Sequence, residues 1–445
     1  MAKLAYLFPA FPVFHQTFVL WEVMGLHRNG VNPKIYSLRR PSVRQQPEGQ
    51  RLVRDVTYLP GVVSAPVLRA NWRLLRADPR RYLSLYVAVG RAWRTGAKAP
   101  HGEVGPKHQP AMLYDRLRGW FNAQPLLYLF KSLWLVPTAV YLAERIEAEG
   151  ITHVHAHWAS YPATVAYVVS IVSGVSFSIS AHAYDIYMVQ RMLPAKLRAA
   201  RFVVTCARTN ADFLKHLAGT ELGRKIIVSY HGVDVGRFAP PPKRDAAACL
   251  RIVSCGQLEQ YKGMHVLIDA CAQLQGRGIP LECRIIGEGL QRRQLERQIE
   301  RLGLSRTVHL VGSRPQGEVA EFLANADLFV LASEQNGKFG RRDVIANVIV
   351  EAMAAGLPVV ASHIPGVEEL VEHGATGLLV PPNRADKLAD AMAVLASNAD
   401  ERARLGQAGR RRILRDFDSS KNVGLLARLL TRSTDDDIER LAAAS

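Results

Sequence analysis

The chain has 445 residues and a mass of 49.3 kDa, which suits two domains of about 200 residues each better than one. Hydrophobic residues make up 48% and charged residues 22% of the sequence, so a disordered or a fibrous protein is excluded. The formal net charge is +18, and residues 1–240 alone hold 30 Lys and Arg against 13 Asp and Glu. This asymmetry predicts that only the first half meets an anionic surface.

The first 60 residues predict the start of a wound α/β sheet. An apolar run at residues 4–8 predicts a buried strand, residues 17–29 a helix, and residues 33–38 a second strand. The order strand, helix, strand is typical of a βαβ unit in a parallel sheet. Residues 41–60 are polar and contain prolines, so we expect them to form a loop.

The start of the chain and its cysteines bear on the cellular compartment. Pro9 and Pro12 interrupt the apolar start and no small-residue cleavage site follows, so a strand is expected there rather than a secretory signal peptide. The number of cysteines is odd and no CxxC pair occurs, which argues against a disulfide framework and a zinc finger. A reducing, cytoplasmic location is therefore expected. The cysteines are Cys206, Cys249, Cys255, Cys271 and Cys283.

Residues 61–100 are the most basic part of the chain, with eight Lys and Arg against one Asp. Aromatic residues and leucines lie among the arginines, which is typical of a helix that lies on an anionic bilayer. The alternative is a solvated helical face whose apolar side joins the core, and no motif supports nucleic-acid binding. We predict a basic helical region over about residues 61–145 that contacts the cytoplasmic face of the membrane. Its apolar stretch at residues 125–142 predicts a core helix or an in-plane anchor rather than a spanning helix.

Regular alternation of strands and helices resumes at Ile151, and prolines 240–242 mark a linker. We expect two doubly wound, Rossmann-like α/β domains that face each other across a cleft, with ligands beyond the C-terminal ends of the strands. The predicted domains are residues 1–240, residues 241–415, and a final helix region at 416–445 that packs back on the first domain. Predicted strands lie at residues 153–157, 176–181, 202–205, 226–229, 252–255, 283–286, 308–311, 328–331 and 359–361. Predicted helices lie at residues 164–172, 265–274, 290–301, 318–324 and 345–354.

The segment from Asp343 to Glu351 carries the sharpest chemical signal. It places one carboxylate just before a predicted helix and another two turns into it. A helix N-terminus offers N–H groups and a positive dipole end to a phosphate, and carboxylates beside it can accept hydrogen bonds from sugar hydroxyls. Two acids at this spacing are common by chance, but the setting between a strand and the turn at Gly356–Pro358 favours a site for a phosphate and sugar hydroxyls.

The same segment closely resembles the E-x7-E signature of retaining glycosyltransferase family 4, which has the GT-B fold. Other segments resemble that family's diphosphate-binding loop, nucleotide-side loops and interdomain element; they lie at residues 253–263, 285–289, 311–312 and 230–238. Three N-terminal segments are similar to the exopolysaccharide, colanic-acid-like branch of the family; they lie at residues 11–18, 155–158 and 180–186.

The resemblance implies a retaining hexosyltransferase of cell-surface polysaccharide biosynthesis. It would move a sugar from a UDP- or GDP-sugar to a lipid-linked saccharide acceptor. It would require no cofactor and no metal. The implied catalytic residues are His182, Lys262, Asp343 and Glu351, of which Lys262 would neutralise the leaving diphosphate and Glu351 would hold the ribose. The implied donor-binding residues are Gly256, Gln257, Lys262, Gly287, Gly312, Arg314, Asn347, Val348 and Glu351. The implied acceptor-side residues are Thr17, His155, His157 and Asp185.

Val344 and Ala346 stand where the family pattern has a Gly and a Pro. Two further departures bear on function, since Asp343 stands in place of a Glu and Gln257 in place of an Arg. These departures support an alternative, a non-catalytic sugar-nucleotide or glycan-binding subunit of a polysaccharide assembly complex. An epimerase or phosphorylase on the same fold would leave the basic region without a role. The histidines at 153, 155 and 157 alternate and so share one face of their strand, where a core role and a metal site are both open.

Overall fold

The structure, a computed structural model, describes residues 3–14, 16–41, 46–96, 125–187, 190–219, 221–240, 249–334, 344–431, 436–438 and 440. The chain divides into two compact units. The first, here the N-terminal unit, comprises Met1–Ser229 and Val423–Ser445, and the second, here the C-terminal unit, comprises Tyr230–Asn422. The chain therefore leaves the first unit about ten residues before the predicted linker at 240, and it returns to that unit just beyond the predicted boundary at 415.

The N-terminal unit is built on a seven-stranded sheet in the order β3-β2-β1-β4-β5-β6-β7, and every neighbouring pair is parallel. The strand order reverses between β1 and β4, which is the topological switch point where ligands bind in open α/β sheets. The strands are β1 (Leu4–Phe8), β2 (Lys34–Ser37), β3 (Val56–Tyr58), β4 (His153–His157), β5 (Ser176–Ala181), β6 (Val203–Thr205) and β7 (Ile226–Val228).

Ten helices of the described residues accompany this sheet, and the four that lie within residues 47–52 and 183–218 were not predicted. They are α1 (Thr17–Arg28), α2 (Pro47–Leu52), α3 (Ala65–Ala77), α4 (Pro79–Arg94), α5 (Pro125–Trp134), α6 (Val136–Ala148), α7 (Tyr161–Ser173), α8 (Ala183–Tyr187), α9 (Leu193–Ala199) and α10 (Arg208–Ala218). The prediction of a loop over residues 41–60 was wrong, because α2 and the edge strand β3 lie there. A three-residue strand is too short to show an alternation of apolar and polar residues.

The apolar stretch predicted at residues 125–142 forms two helices, α5 and α6, which meet at Leu135. By length and composition alone the combined segment Leu126–Ala148 could cross a membrane, with 44% of its apolar window buried. Most of α6 lies in the core of the unit, whereas α5 exposes large apolar side chains. The expectation of a core helix thus fits α6.

The C-terminal unit is built on a six-stranded parallel sheet in the order β10-β9-β8-β11-β12-β13. Counted within the unit this is the order 3-2-1-4-5-6 of a Rossmann sheet, with its switch point between β8 and β11. The strands are β8 (Leu250–Cys255), β9 (Leu281–Ile286), β10 (Val308–Gly312), β11 (Leu328–Leu331), β12 (Val359–Ser362) and β13 (Leu378–Val380). Their side chains are mostly apolar because helices cover both faces of the sheet.

The helices that follow these strands are α11 (Met264–Gly276), α12 (Arg292–Arg301), α13 (Gln316–Ala324), α14 (Asn347–Ala354), α15 (Ala385–Ser397), α16 (Ala399–Asp416) and α17 (Ser419–Thr431). From Val423 onward α17 belongs to the N-terminal unit, where Val423, Leu426 and Leu430 share an apolar cluster with residues of β1 and α1. This packing needs a small residue on α1, since a Cβ atom on Gly25 would lie 2.9 Å from Cγ1 of Val423.

Gly25→Ala should therefore destabilise the chain by about 1–2 kcal/mol, because the added methyl group overpacks the contact between α1 and α17. Gly90→Ala is the matched control, since Gly90 lies within α4 and its Cβ would meet open space. There the higher helix propensity of alanine should add up to about 1 kcal/mol. Urea denaturation of both variants checks this, and equal stabilisation at the two sites would contradict the packing described.

Candidate active site

Three glycine loops lie at one edge of the six-stranded sheet, because the parallel strands β8, β9 and β10 end there together. The Gly256 N–H donates to the carbonyl of Ile286 and the Gly287 N–H to the carbonyl of Gly312, both at 3.0 Å. Gly287 has a φ of +146°, and a Cβ atom on it would lie 1.8 Å from the carbonyl oxygen of Gly256. Only glycine permits this approach, so the loops form a tightly packed backbone shelf.

Lys262 lies beside this shelf at the end of a 3-10 turn, Gln260–Lys262, and is only 9% exposed. Gly263 has a φ of +64°, and a Cβ atom there would lie 1.8 Å from the carbonyl oxygen of Ala332. The turn is therefore pressed against the end of β11. The aliphatic stem of Lys262 runs past Gly256, where a Cβ atom would lie 3.3 Å from its Cδ.

Glu351 lies in α14 and is 5% exposed, and its Oε1 accepts a hydrogen bond of 2.6 Å from Nε2 of Gln316. Burial raises the pKa of Glu351 to about 7, although the hydrogen bond from Gln316 and the positive charge of Arg237 both oppose the shift. A buried carboxylate with this pKa exists in both protonation states near neutral pH, as is frequent in ligand-binding sites.

Cys255 shows that Lys262 and Glu351 share one neighbourhood. Burial and the charge of Glu351 raise the pKa of the Cys255 thiol to about 12, and the charge of Lys262 opposes this shift. Both charged side chains therefore act on the C-terminal end of β8. An ammonium group, a carboxylate and a backbone shelf can together bind a phosphate group and sugar hydroxyls.

The remaining donor-side predictions lie around the same sheet edge. Gln257 follows Gly256 and is exposed, and Arg314 follows β10 and forms an exposed ion pair of 3.4 Å with Glu318. Asn347 and Val348 open α14 and are partly buried. Asp343 lies outside the described residues, so its role stays a prediction.

Gln316 and Arg237, the two groups that act on Glu351, were not predicted. Gln316 begins α13, and a glutamine at the start of a helix gives no sign of a buried carboxylate partner. Arg237 lies in the segment at residues 230–238, but nothing in the spacing connects it with Glu351.

The histidines of β4 lie on one face, as predicted, and two of them form a ladder with β5. His153 bonds Ser176 at 2.8 Å and Ser178 at 2.7 Å, and His155 bonds Ser178 at 2.6 Å and Ser180 at 2.8 Å. Burial lowers the pKa of both imidazoles to about 3. Both ring nitrogens of His155 are thus engaged inside the sheet, and this predicted acceptor-side residue lies in the core.

His157, at the C-terminal end of β4, and His182, just after β5, meet at the switch point of the N-terminal sheet. Their Nε2 atoms lie 3.0 Å apart. Nδ1 of His157 lies 3.2 Å from Oε1 of Glu22 on α1 and 3.1 Å from the hydroxyl of Tyr6 on β1, and that hydroxyl donates to Glu22. Burial alone would raise the pKa of Glu22, but the charge and hydrogen bond of His157 and the hydrogen bond of Tyr6 lower it to about 2.

The loop between β4 and α7 is held on both sides by buried charges. The carboxylate of Asp185 accepts from the N–H of Ala159 and, at 2.7 Å, from the N–H of His182. The ammonium group of Lys196 donates to the carbonyls of Ala159 and, at 3.3 Å, Ser160. Burial raises the pKa of Asp185 and lowers that of Lys196. The predicted acceptor-side residue Asp185 thus fixes the backbone of this loop.

Trp158 begins that loop and has a φ of +89°, an unusual value for a bulky residue. Such strain persists where the surroundings impose it, and it clusters at functional sites. The ring centroids of Trp158 and His182 lie 4.5 Å apart, and those of Phe18 and His182 lie 5.5 Å apart. Phe18 follows the predicted residue Thr17. The His182 ring therefore packs against two aromatic side chains.

Glu22 and Lys196 were missed by the predictions, and Trp158 was included only as part of the segment at residues 155–158. Glu22 had a detectable signal, because it is the only acidic residue among residues 1–47 and lies within the apolar run at residues 18–26. An isolated acid on such a helix predicts a buried partner of opposite charge.

Comparison with known proteins finds a family match within the C-terminal unit. Residues 249–412 match the family described as "Glycosyl transferases group 1". This range contains Lys262, the glycine loops and Glu351.

Two curated relatives are similar over about half of the chain. The putative colanic acid biosynthesis glycosyltransferase WcaL of Escherichia coli (strain K12) is 39% identical over 207 residues, which is 46% of this chain and 51% of WcaL. The amylovoran biosynthesis glycosyltransferase AmsK of Erwinia amylovora is 34% identical over 208 residues, 47% of this chain and 51% of AmsK. The matched part of the chain spans about half the length of these curated relatives.

Solved structures share the fold over almost the whole chain. Anabaena Alr3699/HepE in complex with UDP matches with a TM-score of 0.65 and 17% identity, covering 96% of this chain and 99% of that one. The apo form of the lipopolysaccharide outer core galactosyltransferase WaaB matches with a TM-score of 0.60 and 15% identity, covering 94% and 97%. The two Rossmann-like units are those of the GT-B fold, which confirms the predicted fold class.

The raised pKa of Glu351 predicts a pH-dependent gain in stability for Glu351→Gln. Between its ordinary value of 4.5 and about 7 the folded chain binds this proton more tightly than the unfolded chain, so stability falls as the pH rises through that window. Gln cannot ionise, so the free energy of unfolding of the variant should rise relative to that of the parent protein as the pH rises from 5 to 8. The expected rise is up to about 3 kcal/mol. Denaturation without ligand at several pH values measures this.

The control for this experiment is Glu321→Gln, an exposed carboxylate on α13. Its stability relative to the parent protein should not change across the same pH range. A Glu351→Gln variant that behaves like this control would show that Glu351 does not ionise in a desolvated site.

Proposed function

Because residues 249–412 form a glycosyl transferases group 1 domain, we propose that the chain is a retaining hexosyltransferase of cell-surface polysaccharide biosynthesis. It would transfer a sugar from a nucleotide-diphosphate sugar, with UDP or GDP as the nucleotide, to a lipid-linked saccharide acceptor. No metal or further cofactor is needed in this proposal. The observation that carries it is that Lys262 and Glu351, both nearly buried, act on Cys255 at the end of β8, where the glycine shelf begins.

The chemistry of the leaving group explains why these residue types meet. As the bond between the sugar and the diphosphate breaks, negative charge grows on the phosphate oxygens. The ammonium group of Lys262 and the N-terminus of α14 can stabilise that charge. The lysine acts strongly because it is nearly buried. Glu351 would accept hydrogen bonds from the ribose, and Asp343 would hold hydroxyls of the donor sugar.

The N-terminal unit would hold the acceptor. Its switch point presents His182 between the rings of Trp158 and Phe18, and aromatic rings beside polar groups suit a saccharide. The curated relatives WcaL and AmsK are named for exopolysaccharide synthesis, which supports a polysaccharide precursor as acceptor.

Lys262→Ala and Glu351→Ala should each lower turnover by about 100-fold or more, equivalent to roughly 3 kcal/mol of lost transition-state stabilisation. Lys387→Ala, which removes an exposed lysine of α15, is the control and should leave turnover unchanged. The donor is first identified by a thermal-shift panel of UDP-, GDP- and ADP-sugars, since a ligand at 100 times its Kd adds about 2.7 kcal/mol of stability.

The outcomes of this experiment separate the two candidate functions. Normal turnover in both active-site variants would refute the assignment of the site. Gln257, exposed where the family pattern has an arginine, motivates the alternative of a non-catalytic binding subunit. A parent chain that binds a nucleotide sugar tightly but neither hydrolyses nor transfers it would favour that alternative.

We also propose that the N-terminal unit lies on an anionic membrane surface. On α5, Leu126, Phe130 and Trp134 are 61%, 64% and 61% exposed and recur every four residues, so they form one apolar stripe. On α3, Leu68 and Trp72 are exposed with the same spacing. Exposed aromatic and leucine side chains are what an interfacial helix inserts between lipid headgroups.

Arginines accompany these stripes and supply the attraction to anionic lipids. Arg76 on α3 and Arg80 on α4 are exposed, and α4 packs against both α3 and α5. Arg73 is bound to Glu144 through a contact of 2.5 Å, and Arg81 donates to the carbonyl of Val172 at 2.5 Å, so their charges are already engaged. Arg76 and Arg80 are therefore the better residues to change.

Arg76→Ser combined with Arg80→Ser should weaken binding to phosphatidylglycerol-containing liposomes by about 30-fold, at about 1 kcal/mol for each basic residue near the surface. Arg293→Ser with Arg297→Ser on α12 removes the same charge from the C-terminal unit and should have little effect. Liposome sedimentation measures both. Equal losses in the two double variants, or binding that persists in about 1 M salt, would contradict this membrane-facing surface.

A further inference from the structure

The contacts of His157 fix the position of its ring proton. The Tyr6 hydroxyl has one proton, and it donates that proton to Glu22. The Tyr6 oxygen that faces Nδ1 of His157 at 3.1 Å can therefore only accept, and the carboxylate of Glu22 at 3.2 Å can only accept as well. Both neighbours of Nδ1 are acceptors, so Nδ1 carries the proton.

The same reasoning extends to His182. In the neutral imidazole of His157 a proton on Nδ1 leaves a lone pair on Nε2. Nε2 of His182 lies 3.0 Å away, so it must be the donor of this hydrogen bond. A neutral His182 with its proton on Nε2 has its lone pair on Nδ1, and that atom is a hydrogen-bond acceptor.

We propose that Glu22 is a positioning residue of the acceptor site: through His157 it fixes the proton of His182 on Nε2, so that Nδ1 of His182 accepts a hydrogen bond from a saccharide hydroxyl. The inference rests on the proposed function for the nature of the ligand. The proton arrangement itself rests only on Tyr6, Glu22, His157 and His182.

The surroundings favour this arrangement over its reverse. Glu22 is the charged group of α1 that faces His157, and its low pKa of about 2 keeps it an acceptor across the physiological range. From β4, His155 faces the same cluster, and burial lowers its pKa to about 3, so it is neutral. After β5, the carboxylate of Asp185 accepts a hydrogen bond from the backbone N–H of His182 and so fixes the position of the His182 backbone.

The proton arrangement can be observed directly in the full chain labelled with 15N-histidine. Long-range 1H–15N correlation spectra at pH 7.5 distinguish a protonated from an unprotonated ring nitrogen, and loss of signals in His157→Asn and His182→Asn assigns the two rings. We expect His157 to be protonated on Nδ1 and His182 on Nε2. In Glu22→Gln the fixed arrangement should be lost, because an amide can donate as well as accept. His157 protonated only on Nε2 in the parent chain would overturn the inference.

The second readout is turnover of the nucleotide sugar that stabilises the chain. It is measured as the release of nucleotide diphosphate. Glu22→Gln should lower kcat at least tenfold and leave the donor KM within twofold, and Glu22→Asp should restore part of the loss. Glu147→Gln, an exposed carboxylate on α6, is the control. An unchanged kcat in a folded Glu22→Gln variant would overturn the positioning role.

The two readouts also separate this inference from the proposed function. Tyr6→Phe keeps the carboxylate of Glu22 and should therefore keep the proton of His157 on Nδ1. A His157 without a proton on Nδ1 in this variant would count against the role of Glu22. The expected spectra from a chain that binds no nucleotide sugar would refute the proposed function and support the proton arrangement.

Discussion

A carboxylate and an ammonium group, both nearly withdrawn from water at the end of β8, are the feature on which the C-terminal unit depends. Burying such groups is costly, and burial raises the pKa of Glu351 to about 7. The glycine shelf and the turn at Gly263 leave no room for larger residues, so they hold Lys262 in place, and a hydrogen bond from Gln316 holds Glu351. A protein retains such a destabilising arrangement where the buried groups contribute to ligand binding.

The N-terminal unit repeats this pattern with other residues. Its strand order also reverses beside the first strand, and buried charged and polar groups collect there around His157 and His182. Glu22, Asp185 and Lys196 act on the backbone or on other side chains of this region. In both units, parallel hydrogen bonding brings the strand ends to one edge, where residues far apart in sequence become neighbours.

The two wound sheets could be predicted because long apolar runs such as residues 328–331 fit buried parallel strands. The glycines and Lys262 were found because a motif fixes them relative to a strand end. Gln316 and Arg237 could not be found, since only the fold brings them to Glu351. Short elements such as β3 escaped because three residues carry no periodicity. His155 has the same spacing as His157, and only its position one step back from the strand end makes it a core residue.

The most direct test of the account is a crystal structure of the chain with the nucleotide sugar that stabilises it best. The account predicts diphosphate density within hydrogen-bond distance of the Lys262 ammonium group and close to the start of α14, with the ribose hydroxyls at the carboxylate of Glu351. Nucleotide density bound elsewhere, with Lys262 and Glu351 untouched, would contradict it.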